Sequence, residues 1–137
     1  MKIFYAWQAD TPRRIGKSLI RQALDTAASD ISETMNLDEA DRPSVDQDTQ
    51  GVLGSPAIAE TIFEKIRTSD LVVVDVTLVG ETPRGKRLIN SNVAYELGYA
   101  HSCHGDQVLI AVMNTYYGTP GDLPFDMKHR RWPSPGT

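Results

Sequence analysis

Apolar positions along this chain follow two patterns. Short runs with hardly a polar residue read as strands, and repeats of three and four read as helices. Ile3-Phe4-Tyr5-Ala6-Trp7 is the first run, rich in β-branched and aromatic residues. Thr11 then offers an N-cap and Pro12 a first helical residue. Ile20, Leu24, Ala27 and Ile31 follow at helical spacing, which predicts a first helix over roughly residues 12–33. Asn36 to Arg42 is polar and reads as loop, and Pro43 to Asp46 as a short edge strand. Ser55 is placed to cap a second helix with Pro56 just inside it, and Ile58, Ile62, Phe63 and Ile66 form its apolar stripe.

Leu71 to Val76 and Val108 to Met113 are nearly all apolar. Strands without alternation suit a parallel sheet covered on both faces. Between them the pattern predicts a polar loop, Thr77 to Ile89, and a helix from about Ser91 to Cys103. Parallel strands need crossovers, and these helices supply them. The expected fold is therefore α/β: a flavodoxin-like parallel sheet of order 2-1-3-4, helices on both faces, and room for a fifth strand at Arg130 to Pro133. Residues 1–133 form one domain on this reading, and 134–137 a linker or truncated tail. In such a sheet the ligand crevice opens at the switch point between strands 1 and 3. Trp7, Gln8 and Asp10 fall on one side of it, and Asp75, Val76 and Thr77 on the other.

Composition narrows the class without changing the fold. Hydrophobic residues are 40% of the 137 and charged residues 23%, as in a soluble globular domain. No apolar run reaches the ~20 residues of a membrane span, no signal-peptide pattern opens the chain, and Cys103 is the only cysteine. Cytoplasmic location is the expectation. A net charge of −4 argues against nucleic acid or an anionic membrane as partner, and leaves a small phosphate-bearing ligand open.

The richest segment for chemistry is Asn90 to Ala100. With Val93, Leu97 and Ala100 inward, Glu96 projects roughly 60° off the buried stripe. Asn92, Glu96, Tyr99 and Cys103 then make a polar shoulder beside it. A lone Glu on such a helix is ordinarily a surface residue. The stripe and the crevice position bring charge work on a sugar level with that reading. Arg13, Arg14, Lys17 and Arg21 near a helix start oppose its dipole; they are either a solvated basic face or an anion site. Gly51 and Gly54 with Ser55 form a turn, or a weak phosphate nest. His101 and His104 lack an evident third ligand, so no metal is expected.

The stretch Asp46-Gln47-Asp48, Gly51, Gly54-Ser55, Ile58, Ile62, Ile66, Ser69-Asp70, Leu71 to Val76 and Glu96-Leu97 resembles the Toll/interleukin-1 receptor (TIR) domain family. Phe4-Tyr5-Ala6-Trp7 followed by Asp10 looks like that family's first strand and loop. Glu96-Leu97-Gly98 is also similar to nucleoside 2-deoxyribosyltransferases and bacterial TIR-like nucleotide-binding proteins. The chain has Asn92-Val93 where catalytic TIR domains often carry Trp-Cys, and Asn90-Ser91 where deoxyribosyltransferases usually have an Asp.

The resemblance implies a TIR-like domain that binds NAD or a related nucleotide and cleaves its N-ribosyl bond, as a hydrolase in antiviral defence. Glu96 would be catalytic. Trp7, Gln8, Asp10, Arg13, Arg14, Thr77, Asn92 and Tyr99 would bind the nucleotide, with no cofactor beyond it. Gly51, Gly54 and Ser55 would mediate self-association. The alternatives are a non-catalytic nucleotide-sensing or assembly module, and a deoxyribosyltransferase-like enzyme acting on nucleosides.

Overall fold

The structure, a computed structural model, describes residues 1–47 and 56–124. Four parallel strands make the main sheet: β1 (Lys2–Ala6), β2 (Ser44–Gln47), β3 (Leu71–Asp75) and β6 (Leu109–Val112), in the order β2-β1-β3-β6. Counting only these four strands, that is the expected order 2-1-3-4. Register runs Ile3 to Leu71 and Ala6 to Val74 between β1 and β3, and Val72 to Leu109 between β3 and β6.

Alternation along the central strands builds two cores. Ile3, Tyr5 and Val73 face α1 (Lys17–Thr34), where Ile20 and Leu24 pack on them. Phe4, Ala6, Val72 and Val74 face the other way, toward Ile66 of α2 (Pro56–Arg67) and Val93 and Ala100 of α3 (Ser91–His104). Fully burying an aliphatic side chain contributes about 1.5–3 kcal/mol, so strands with apolar residues on both faces hold the layers together. The apolar run of β6 does not bring full burial: it is the last strand of the sheet among the described residues, and Ile110 stays 40% exposed.

Two expectations change. The segment from Thr77 to Ile89 is not simply loop. It carries an antiparallel hairpin, β4 (Leu78–Glu81) and β5 (Arg87–Ile89), whose ends Leu78 and Ile89 enter the core. The tip is a tight turn in which Gly85 has φ of 80°, a conformation that suits glycine.

The first helix also starts later. Arg13–Ile15 is a 3-10 turn, and the α-helix begins after Gly16. Thr11 does not cap it, because Gly16 holds the cap position; the Thr11 hydroxyl instead accepts a hydrogen bond from the Gln8 side chain at 2.9 Å. Gly16 lies so close that an added Cβ would stand 2.4 Å from that hydroxyl oxygen. The inward ridge of α1 is consequently Ile20, Leu24 and Ala28, the first two partly buried, while Ala27 and Ile31 face solvent.

The expected strand at Arg130 to Pro133 and the loop Gly51, Gly54 and Ser55 lie outside the described residues. Among those described, no helix is long and apolar enough to cross a membrane.

Candidate functional site

The carboxyl ends of β1, β3 and β6 converge on a buried polar junction. Gln8, just past β1, donates from Nε2 to Asp75 Oδ2 at 3.0 Å as well as to Thr11. Its Oε1 accepts the Asp10 backbone N–H at 2.6 Å. Asp75 Oδ1 accepts from the Thr77 hydroxyl at 2.6 Å and the Thr77 backbone N–H at 3.0 Å. The same hydroxyl accepts the Asn114 backbone N–H at 2.9 Å, and Asn114 Nδ2 donates to the Ile15 carbonyl at 3.3 Å. The loops after all three strands are thus joined at the switch point. Gln8, Asp75 and Thr77 are buried, so their polar atoms serve one another.

Trp7 is half-buried on the α1 side, and the Lys17 ammonium sits 3.5 Å from its ring centroid. That cation–π contact already occupies one face of the indole. Tyr5, directly below, is fully buried, and its phenol pKa is pushed up by burial and then by the negative charge of Asp75.

Asp10 lies on the surface above this junction and reaches across to α3. Asn90 Nδ2 donates to Asp10 Oδ2 at 2.8 Å, while Asn90 Oδ1 accepts the Val93 backbone N–H at 3.0 Å and so caps the helix. The strand-1 loop and the start of α3 are therefore pinned together. Glu96 lies little more than a turn along the same helix. It does not stand on a polar shoulder: it is only 7% exposed and belongs to the inward row with Val93 and Ala100, while Leu97, partly buried, packs against the same core. Its Oε2 atom is shut off from solvent. A carboxylate in that setting is costly to bury and strongly felt by any cation placed beside it.

The remaining expected site residues are dispersed. Arg13 and Arg14 are exposed on the 3-10 turn beside the junction. Asn92 is exposed on the first turn of α3. Tyr99 is turned toward α2, its ring stacked on Phe63 at 4.2 Å, with its pKa raised mainly by a hydrogen bond with Cys103. His101 pairs with Asp106 at 3.3 Å and His104 meets the Ile66 carbonyl at 2.7 Å, so the two do not converge. Among the described residues no cluster of His, Cys, Asp and Glu could hold a metal.

Lys17, Asn90 and Asn114 were absent from the expected nucleotide-binding set. Asn90 carried a readable signal, an Asn directly before a helical repeat. The other two are placed by tertiary contacts. Two open grooves, of about 590 and 650 Å³, run along α1 and toward β2; neither is lined by Glu96, Trp7, Gln8 or Thr77.

No family model matches the chain, and no curated protein matches it. Among solved structures it is similar to a 2-desoxiribosyltransferase from Leishmania mexicana, with 18% sequence identity and a TM-score of 0.49. The match covers 82% of this chain, and the chain spans 63% of the length of that structure. A likeness at this level says nothing about activity.

Proposed function

We propose that this chain acts on the N-glycosidic bond of a nucleoside-based ligand, with Glu96 as the catalytic carboxylate. The observation that carries the reading is the position of Glu96. It is an acid withdrawn from solvent, on the inward row of the helix whose cap is tied to the strand-1 loop. Breaking a ribosyl–base bond builds positive, oxocarbenium-like charge on the sugar. A carboxylate held in a dry site stabilises that charge more strongly than one in water, or captures the sugar as an ester.

Two outcomes share this chemistry. In one, the sugar passes to a second base, a glycosyl transfer of the general kind for which the Leishmania mexicana protein is named. In the other, water takes the sugar, as the TIR resemblance implies for NAD in a defence effector. Self-association through Gly51 to Ser55 would belong to either form.

The test is mass spectrometry of products after concentrated protein meets three mixtures: 2′-deoxynucleosides with a free acceptor base, NAD, and NADP. Base exchange indicates transfer, and free base with free sugar or ADP-ribose indicates hydrolysis. Glu96→Gln keeps shape and removes charge, and is expected to lower the rate roughly a hundredfold, on the order of 3 kcal/mol. Undiminished activity of Glu96→Gln beside an active wild type would show that another residue carries the reaction. Intact substrates in all three mixtures would sink the proposal.

A further inference from the structure

Basic side chains are treated differently in two regions of the described residues. Along the helices, Arg21 pairs with Asp25 at 3.2 Å, Lys65 with Asp46 at 3.2 Å, and Arg67 with Glu64. At the carboxyl end of the sheet, Arg13, Arg14, Arg84 and Lys86 are exposed, and among the described residues none makes an ion pair. Arg13 and Arg14 ride on the 3-10 turn after β1, and Arg84 and Lys86 on the tip of the β4–β5 hairpin.

One short strap is bonded to both carriers. Asn114, at its start, donates to the Ile15 carbonyl of the 3-10 turn. The carbonyl of Tyr117, three residues on, accepts a hydrogen bond from Arg87 Nη2 of the hairpin at 2.8 Å. The Asn114 backbone N–H also bonds Thr77, the residue that leads into the hairpin.

The hairpin tip is itself ordered. Thr82 N–H donates to the Lys86 carbonyl at 2.8 Å, Gly85 N–H to the Thr82 carbonyl at 2.8 Å, and Lys86 N–H to the Thr82 hydroxyl at 3.1 Å. Arg84 and Lys86 are therefore offered from a fixed turn, which lowers the ordering cost of binding.

We propose that Arg13 and Arg14 on one side and Arg84 and Lys86 on the other form a clamp for the phosphates of the ligand. The substrate class is then a phosphorylated nucleotide and not a free nucleoside. This rests on the reading of Glu96 above for where the sugar lies. Four cations that make no ion pair among the described residues, on a protein of net charge −4, give a local attraction for anions that the molecule as a whole lacks. Guanidinium groups match phosphate oxygens in pairs, which suits two arginines on one jaw and an arginine with a lysine on the other.

The experiment titrates inorganic pyrophosphate into the wild type, Arg13→Ser/Arg14→Ser, Arg84→Ser/Lys86→Ser, and a control with the same loss of charge, Arg21→Ser/Lys65→Ser. Calorimetry at low salt reads the binding, and thermal melting confirms the fold. Each jaw variant is expected to bind at least tenfold more weakly, with the control near wild type. The wild type is also expected to prefer ADP to adenosine, and each jaw variant to lose that preference. Equal weakening in all three variants, wild-type binding by the hairpin variant, or no wild-type binding at millimolar pyrophosphate each overturns the clamp.

Failure of the clamp and failure of the glycosidic reading are distinguishable. Pyrophosphate binding that ignores Glu96→Gln, with every ribosyl substrate left intact, removes the reaction and keeps the clamp. Glu96-dependent cleavage without pyrophosphate binding does the reverse.

Discussion

Asp75 and Glu96 are carboxylates in two regions that treat a buried acid differently. Asp75, at the end of β3, is fully buried and surrounded by donors: the Gln8 amide, the Thr77 hydroxyl and the Thr77 backbone N–H. Those bonds fix the loops after β1 and β3 against each other, so the fold itself accounts for the acid. Glu96 occupies the inward row of α3 between Val93 and Ala100, with one carboxylate oxygen shut off from solvent, and it lies outside the bonds that join the loops after β1, β3 and β6. Burial alone therefore does not single out a working carboxylate. The useful question is whether the architecture needs a charge at that place.

The largest effect expected from this contrast is on stability. Asp75→Ala leaves the donors of Gln8 and Thr77 buried without their acceptor, at about 1–3 kcal/mol each. A loss of about 4 kcal/mol follows, seen as a fall in melting temperature of roughly 10 °C or more. An unchanged melt would mean that the junction does not hold the loops, and the contrast would lose its structural half.

Glu96→Gln sharpens the other half. Its melting free energy is expected to stay within about 1 kcal/mol of wild type while the roughly hundredfold activity loss appears. If it unfolds the protein as readily as Asp75→Ala does, the two acids are alike and Glu96 is a structural residue. The jaw variants of the anion clamp come next in size, changing affinity with neither folding nor the chemistry at Glu96.

Legibility in the sequence followed the range of the interactions. β1, β3 and the three helices were visible because apolar runs and helical repeats are local signals. The hairpin was hidden because strands of four and three residues with charges at Glu81 and Arg87 barely register as a pattern. The start of α1 was misplaced because the contact between Gly16 and Thr11 is a matter of packing. Ala27 and Ala28 fit the repeat after Leu24 equally well; only the sheet decides that Ala28 faces inward. Around the switch point, the placing of Gln8, Asp75 and Thr77 at the strand ends was legible from the strand order, whereas the helix pattern put Glu96 on a polar shoulder and only packing turns it inward. The bond between Gln8 and Asp75 joins residues 67 positions apart and has no local signature.

The smallest effect concerns Tyr5, which lies beneath the same junction and connects it to alkaline stability. Its hydroxyl makes a long contact with the Lys17 carbonyl at 3.5 Å, so Tyr5→Phe is expected to cost no more than about 1 kcal/mol at neutral pH. The folded-state pKa lies well above the ordinary 10.0, first from burial and second from the Asp75 charge. A raised pKa means that the folded protein keeps the phenol proton after the unfolded chain has released it. This contribution is intact below pH 10 and declines as pH rises above it. Its slope approaches that of one proton, about 1.4 kcal/mol per pH unit. Denaturant melts of wild type and Tyr5→Phe at neutral pH and at pH 11 isolate this residue from other alkaline titrations. The wild type is expected to lose more stability than the variant between the two conditions. Parallel losses in both would mean that the Tyr5 phenol titrates normally, and that neither burial nor the Asp75 charge is felt at its oxygen.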